Sequence, residues 1–296
     1  MLITYKVELK PTNQQAWRIN QQISGSRWAY NLFLDINRQR YECGYHYMSA
    51  YEFSKWFNHD YLETNPDDQW IKELSAKSIK QAFIDADTAM KRFFKKLNGY
   101  PHWRSFKRGQ GSYYFVKNGQ KRIIACERHR IKLPKLGWIR LKEFSYIPTD
   151  AEHFVIKHGR VKVKAGRYYL TCVVEQAGSI QPILDGNPIG IDLGLKNFAI
   201  LSNGSSYSNQ NKSSRLQRIR KRLRRLQRKL SRQYRALKAR KQKEGRSATD
   251  LNLAKTQLKV QRLYQRLTNI QIDYQNKIVA TVVRAKPQWV ALEDLN

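Results

Sequence analysis

Two carboxylates carry the most chemical promise in this chain: Asp192, within Ile189-Gly-Ile-Asp-Leu-Gly, and Glu293, near the end of Pro287-Gln-Trp-Val-Ala-Leu-Glu-Asp. Both runs read as apolar strands, the second as a buried one, and an isolated carboxylate in such a setting is costly. Strand alternation sends Ile191 and Leu193 to one face and Asp192 to the other. A carboxylate there needs a cation, a dense set of donors, or water. Two such strands side by side would offer hard oxygen ligands to Mg2+ or Mn2+. Paired divalent ions stabilise the attacking and leaving oxygens of phosphodiester hydrolysis and lower the pKa of a bound water, so no Ser or Cys nucleophile is required. A plainer alternative stays open on spacing alone: Asp192 capping a turn and Glu293 opening a surface loop.

A rival chemistry also begins with Gly-Ile-Asp-Leu-Gly. Actin-like kinases and chaperone ATPases open with Asp-x-Gly followed by Thr or Ser, whose hydroxyl meets ATP phosphates. Here Leu195-Lys196-Asn197 follows, with no hydroxyl, and no G-x-x-x-x-G-K-[ST] occurs in the chain. An ATPase is disfavoured, and no small-molecule cofactor is expected.

The elements that must position these groups follow from periodicity. Residues 2–9 alternate as a strand that Pro11-Thr12-Asn13 ends. From Gln14 to about Leu97 the pattern is helical, with a turn around Gly44 and further helices at Tyr51–Phe57 and Ser75–Leu97; in the last, Ile79, Phe83, Ala86, Met90, Phe93 and Phe94 recur at steps of three and four. These helices fit a helix-turn-helix that reads DNA, or an ordinary small bundle. Residues 112–175 hold short β-rich runs: Tyr113–Val116, Arg122–Ala125, Ile131–Leu133, Trp138–Leu141, His153–Lys157, Val161–Lys164 and Tyr168–Glu175. Their regular spacing predicts a small β-barrel. Residues 177–188 gather small, polar and Pro residues as a linker does. Beyond it come the Asp192 strand and a second strand, Phe198–Leu201, whose end at Asn203-Gly204 is a type I′ hairpin signal.

Residues 212–246 contain 17 Lys and Arg against one acid, Glu244. Leu216, Ile219, Leu223, Leu226, Leu230 and Leu237 keep mostly helical spacing, which makes this a basic amphipathic helix. Gly245-Arg-Ser-Ala-Thr-Asp breaks it, with Thr249 or Asp250 as cap, and Val260, Leu263, Leu267, Ile270 and Tyr274 repeat the stripe. Two stripes joined by a short turn predict an antiparallel helical hairpin. Its charge is too one-sided for a coiled coil built on salt bridges and suits a groove wall against a duplex.

Composition agrees. The 296 residues carry 56 Lys and Arg against 23 Asp and Glu, a net charge of +33, yet 41% are hydrophobic, so the chain folds and a polyanion is needed to offset its self-repulsion. No apolar stretch approaches the ~18 residues of a spanning helix, and the first residues lack a signal-peptide layout, so nucleic acid is favoured over membrane. Cys43, Cys126 and Cys172 are odd in number and far apart, with no C-x-x-C pair; they fit a reducing cytoplasm and form no zinc site. Aromatic and basic residues interleave, as in Tyr100-Pro-His-Trp-Arg-Ser-Phe-Lys-Arg. That mixture suits stacking on bases and contacting phosphates. The candidate nucleic-acid contacts are Arg104, Lys107 and Arg108 here, and Arg215, Arg218, Arg222, Arg225, Lys229 and Arg232 in the basic helix.

In its motifs the chain resembles the TnpB (OrfB-type) family of transposon-encoded RNA-guided nucleases. Gly190-Ile-Asp-Leu-Gly-Leu-Lys-Asn-Phe-Ala looks like the family's first RuvC motif and Val290-Ala-Leu-Glu-Asp-Leu-Asn like its second. Tyr5-Lys-Val-Glu-Leu-Lys-Pro-Thr-Asn-Gln-Gln, Arg27-Trp-Ala-Tyr-Asn, Phe93-Phe-Lys-Lys, Pro101-His-Trp-Arg-Ser-Phe-Lys and Ile131-Lys-Leu-Pro-Lys-Leu-Gly resemble its earlier segments in order. The resemblance implies an α+β chain: a β-barrel wedge domain from 1–13 and 99–178, a helical recognition insertion at 14–98, a linker at 179–188, and a partial RuvC-like RNase H fold at 189–296 with its helical hairpin at 213–280. It implies a transposon-derived guide RNA and target DNA as partners, Asp192 and Glu293 as the first two catalytic carboxylates, and magnesium as the metal. Family members continue into a zinc ribbon and a third RuvC motif that supplies a last Asp. This sequence contains neither, so impaired cleavage is expected, and zinc only in that further part. A non-cleaving protein that binds RNA and DNA, or an RNA chaperone, is the alternative; a basic structural RNA-binding protein would need no carboxylate pair.

Overall fold

The computed structural model describes residues 1–105, 111–117, 124–150, 152–177, 183–244 and 251–293. The chain divides into two compact units, Met1–Ser179 and Ile180–Asn296. Each is a mixture of helix and sheet.

The first unit is organised by a single long helix. Strand β1 (Leu2–Lys10) ends at Pro11, and Thr12 then caps α1 (Asn13–Glu42) in a reciprocal box with Gln15. At 30 residues α1 is about 45 Å long, and its two halves belong to different cores. Ile19 and Ile23 join Val7, Ile131, Ile139, Leu170 and Tyr113 beneath the sheet. Ala29, Tyr30, Phe33 and Leu34 pack with α2 (Ala50–Trp56), the short α3 (Leu62–Thr64) and α4 (Ala76–Phe94) through Phe53, Leu62, Ile79 and Phe83. Phe33, Phe53 and Phe83 meet with ring centroids 4.8 to 6.4 Å apart. Buried hydroxyls of Ser26 and Ser78, 2.8 Å apart, fix the crossing of α1 and α4, as does the side-chain Oε1 of Gln22, which accepts from the Ser75 backbone N–H.

The sheet of this unit has seven strands in the order β2-β6-β7-β1-β5-β4-β3, with every pairing antiparallel. The added strands are β2 (Ser112–Val116), β3 (Ala125–Glu127), β4 (Arg130–Leu133), β5 (Gly137–Leu141), β6 (Phe154–Lys164) and β7 (Arg167–Gln176). The barrel expectation is corrected: β2 and β3 are the edges, and among the described residues they do not pair. Alternation reports which face is buried, but not whether the sheet closes. Here the inner face is covered by the first turns of α1 instead of by closure. Two predicted strands, His153–Lys157 and Val161–Lys164, are one continuous β6 with an irregularity between Ile156 and His158. Gly159, which reads as a break, lies inside it opposite Phe115; a Cβ there would sit 2.5 Å from the Phe115 ring and 2.3 Å from the Thr171 carbonyl oxygen. The glycine makes room for a ring. Part of the Arg122–Ala125 run lies outside the described residues.

The second unit holds a four-stranded sheet in the order β10-β9-β8-β11: β8 (Ile189–Asp192), β9 (Asn197–Leu201), β10 (Ser206–Ser208) and β11 (Val290–Leu292). The first three form an antiparallel meander, and β11 returns parallel to β8. A parallel neighbour requires a crossover, which contains the helices α5 (Ser214–Glu244) and α6 (Leu251–Arg284). Ile219 and Leu223 of α5 bury against Val260 and Leu263 of α6, with Leu226, Leu230, Leu267 and Ile270 packed alongside. Gln227 donates to Tyr264 while Gln271 donates to Asn211, so one chain falls as the other rises and the hairpin is antiparallel. The breaker and its cap candidates, Thr249 and Asp250, lie outside the described residues. The end of α6 turns back to the sheet, where Val282 joins Ile189, Ala199 and Leu201.

Two further expectations are corrected. The Asn203-Gly204 turn joins β9 to β10, but only Gly204 has positive φ (+85°). Gly204 N–H donates to the Leu201 carbonyl and Leu201 N–H to the Ser205 carbonyl, which is a type I turn closed by a glycine bulge, not type I′. A two-residue loop with both φ values positive stands instead at Ala165-Gly166, between β6 and β7. Second, β11 is not buried: Val290, Ala291 and Leu292 are all exposed. Among the described residues it is the edge of its sheet, and an edge strand lacks the second neighbour and the covering layer that bury a central one.

Candidate nucleic-acid interface and carboxylate pair

Asp192 is the last residue of β8 and Glu293 follows the last residue of β11. In β8, Ile189 and Ile191 turn to the apolar cluster, which leaves Gly190 and Asp192 on the other face. The parallel register pairs Val290 with Ile189, Ala291 with Gly190 and Leu292 with Ile191. The next residue on each chain is a carboxylate. Neighbouring strands are about 4.8 Å apart, so residues 192 and 293 stand at the same ends of adjacent strands although a hundred positions separate them in sequence. Both are exposed. Among the described residues no third His, Cys, Asp or Glu completes a metal-binding group with them. Two carboxylate oxygens at one sheet end suit a hard divalent cation as partial ligands, the remainder being water or phosphate oxygen.

The frame around Asp192 is held by small polar residues that sequence reasoning overlooked. Ser202 ties the hairpin to β8: its hydroxyl accepts from the Gly190 N–H at 3.0 Å, and its own N–H donates to the Gly190 carbonyl at 2.9 Å. Asn209 donates to the Leu195 carbonyl, just past Asp192, and Asn211 accepts from the Arg220 guanidinium at 2.6 Å. Tyr274 of α6 donates to the Ser208 carbonyl and its ring lies 5.8 Å from Phe198. Thus the loop after Asp192 is tied to the 208–211 segment, which is itself fastened to both helices. Periodicity marks Tyr274 only as part of the α6 stripe and does not mark Ser202, Asn209 or Asn211, because their roles are one or two local hydrogen bonds each.

The cationic surface lies on α5. Arg215, Arg218, Arg222, Arg225, Lys229 and Arg232 are all exposed and recur at steps of three and four, so they form one stripe beside the buried Leu216, Ile219 and Leu223. Among the described residues none of the six is in an ion pair. Arg218 donates only to Ser214. Six unneutralised charges along one helix face are costly unless an anion covers them.

In the first unit, Arg104 is placed differently. Its guanidinium lies 3.6 Å from the Tyr30 ring centroid and 3.7 Å from Asp85, whose carboxylate also accepts two hydrogen bonds from Arg160. Asn31 holds the Arg104 backbone at both its N–H and its carbonyl. Burial pushes the Tyr30 hydroxyl above its ordinary range, with Arg104 opposing the shift. Arg104 is therefore partly committed within the fold, with 41% of its side chain exposed. Lys107 and Arg108 lie outside the described residues.

Fold and charge together define the class: a cationic, mixed α/β protein whose helix α5 carries a stripe of six exposed cations that are in no ion pair among the described residues. Comparison with known proteins narrows it. Residues 171–296 match the insertion-sequence family described as "Probable transposase" of the OrfB type, and residues 1–45 match its "Helix-turn-helix domain". Between them these matches take in more than half of the chain. The chain belongs to the TnpB/OrfB family. Residues 1–45 here are nevertheless β1 and one unbroken helix; a second helix starts only at Ala50. Among curated relatives, "Putative RNA-guided DNA endonuclease InsQ" of Escherichia coli (strain K12) is 28% identical over 99% of this chain, and "Putative RNA-guided DNA endonuclease" of Streptomyces pristinaespiralis is 25% identical over 98%. The chain spans 66% of the length of each. A solved structure, "Cryo-EM structure of the Cas12f1-sgRNA-target DNA complex", aligns over 100% of this chain and 73% of its own at 14% identity and a TM-score of 0.35, too loose a superposition to define the fold. Among the described residues no helix is long and apolar enough to cross a membrane.

Proposed function

We propose that this chain binds a transposon-derived guide RNA and its DNA target, and that Asp192 and Glu293 are two carboxylates of a RuvC-like, metal-dependent DNA endonuclease site. One observation carries the reading: the parallel pairing of β8 with β11 in a register that brings both carboxylates to one end of the sheet. The strand order, an antiparallel meander with a parallel fourth strand beside the first, supports an RNase H-like reading of this unit. The names of the two curated relatives agree with it.

The chain's own residues then divide the work. The α5 stripe holds the phosphate backbone of a duplex without reading its bases, which suits a protein that leaves sequence recognition to base pairing. Asp192 and Glu293 supply anionic oxygens for Mg2+ or Mn2+, and Ser202, Asn209 and Tyr274 keep the strand ends and the following loop in register. The bound ion would supply charge neutralisation at the phosphate and a lowered pKa for an attacking water. In guide-loaded protein supplemented with a segment that carries the family's third RuvC motif, Asp192→Ala is expected to reduce Mg2+-dependent DNA cleavage about a hundredfold, with RNA binding retained. Mn2+ titration followed by electron paramagnetic resonance gives a second readout: Asp192→Asn and Glu293→Gln should each weaken Mn2+ binding. Cleavage and Mn2+ affinity unchanged in both variants would refute the assignment.

A second reading, a guide-dependent DNA binder or RNA chaperone that does not cut, is favoured by the exposure of both carboxylates and by the want of a third acidic neighbour among the described residues. It predicts the same salt-dependent binding, with no effect of Asp192→Ala on any measured activity.

A further inference from the structure

In the first unit a cleft of about 290 Å³ opens between the early turns of α1 and the turn segment Pro66–Glu73. It is lined by Trp17, Asn20, Gln21, Trp70, Glu73 and Leu74, with Ser24 at its side. Its volume is at the small end of the range for ligand sites, roughly 300–1,000 Å³, which suits one flat ring system better than a large ligand. Two features separate it from an ordinary surface dimple. The first is the pair of indoles. Trp17 is 60% exposed and Trp70 41% exposed, whereas tryptophan buries most of its surface when it serves packing alone. Trp70 is held edge-on by Trp28 with centroids 5.6 Å apart, and the segment is anchored by the buried Ile71 and Leu74. The second is the polar set. Among the described residues no hydrogen bond or ion pair engages the Gln21 amide or the Glu73 carboxylate.

Exposed aromatic rings beside free polar groups, with cations nearby, are the chemistry that captures an unstacked base. Arg18 follows Trp17, Lys72 precedes Glu73, and both are exposed to meet the flanking phosphates. Glu73, as a carboxylate, only accepts hydrogen bonds. Guanine alone offers it two adjacent donors, N1–H and the exocyclic amine; cytosine and adenine place an acceptor beside their amine, and uracil flanks its single N–H with carbonyls. We propose that this cleft holds one unpaired base, guanine by preference, of the nucleic acid that the protein binds, stacked on Trp17 with Glu73 at its Watson–Crick edge. This rests on the nucleic-acid reading above but not on the carboxylate pair.

The test uses the whole chain and a hairpin RNA carrying one bulged guanosine, against its fully paired counterpart and a bulged-uridine version, with the same set made in DNA. The wild type should prefer bulged guanosine over the paired hairpin by about tenfold. Trp17→Ala should abolish that preference while leaving the salt dependence of binding to the paired hairpin unchanged, Trp17→Phe should keep most of it, and Glu73→Gln should erase discrimination between guanosine and uridine. The RNA and DNA sets tell which strand supplies the base. Wild-type protein that binds the paired hairpin with a steep salt dependence but shows no bulge preference in either set overturns the base site alone. Wild-type protein with no salt-dependent binding to any hairpin overturns the nucleic-acid reading itself.

Discussion

Changing Arg218, Arg222, Arg225 and Lys229 together to Gln tests whether the α5 stripe is a phosphate-binding surface. From Arg215 to Arg232 the stripe covers 17 residue steps, about 25 Å of helix, which faces roughly seven phosphates of one strand at 3.4 Å each. Six cations over that length can each neutralise one phosphate. Each such contact adds about 0.9 to the slope of log affinity against log salt, so the six contribute about 5.4 and the quadruple variant loses about 3.6 of it. Between 50 and 200 mM salt the wild type should therefore lose about 150-fold more affinity than the variant does. Glutamine keeps helix propensity, and Ile219, Leu223, Leu226 and Leu230 still pack on α6, so helix content by circular dichroism should not change. The assay is fluorescence anisotropy of a labelled duplex across a salt series. A slope that falls by less than one unit would refute the reasoning, because it would mean that the anion lies elsewhere.

The remaining predictions concern the frame. Phe33→Ala removes a ring with no exposed surface from between Phe53 and Phe83 and should cost about 3–5 kcal/mol in urea unfolding, with the salt slope of binding unchanged. Gly159→Ala puts a methyl group within 2.5 Å of the Phe115 ring and 2.3 Å of the Thr171 carbonyl oxygen and should destabilise by about 1–3 kcal/mol; a melting temperature equal to the wild type's would contradict the close approach. The cysteines should separate on labelling: Cys43 is exposed, whereas burial pushes the Cys126 thiol up to about 11 and the Cys172 thiol up to about 12. With Ellman's reagent Cys43 should react at once and the other two slowly, at rates that still climb past pH 9. Because the folded values of Cys126 and Cys172 are raised, the folded state holds protons that the unfolded chain releases first. Their contribution to stability is full below the ordinary thiol pKa and lost as pH rises toward 11 and 12.

Most elements were legible before any coordinates, and the exceptions have specific causes. Helix α4 showed its buried face through Ile79, Phe83, Ala86 and Met90, and the α5–α6 hairpin showed its seam through Ile219, Leu223, Val260 and Leu263. What periodicity cannot carry is connectivity at a distance. Seven alternating strands read equally well as a closed barrel or an open sheet, and the choice fell to Ile19 and Ile23 of α1, which cover the inner face. Gly159 read as a break because sequence does not show that Phe115 lies across from it. Ala165-Gly166 is not a preferred pair for a turn with two positive φ values, while Asn203-Gly204 is, and the strands around each settled the outcome the other way.

By itself the sequence determined the sign and the densest placement of the charge, because 56 basic residues against 23 acidic ones, 17 of the basic ones within residues 212–246, need no fold to be counted. It also determined which two acids to suspect, since Asp192 and Glu293 each interrupt an apolar run. Only the tertiary structure decided that they are neighbours. The register of a parallel pair is set by hydrogen bonds between β8 and β11 across an intervening hairpin of two long helices, and no local preference in either segment encodes it. The tertiary structure likewise decided that Arg104 turns inward to Tyr30 and Asp85, because a guanidinium takes whichever ring and carboxylate the fold brings within reach.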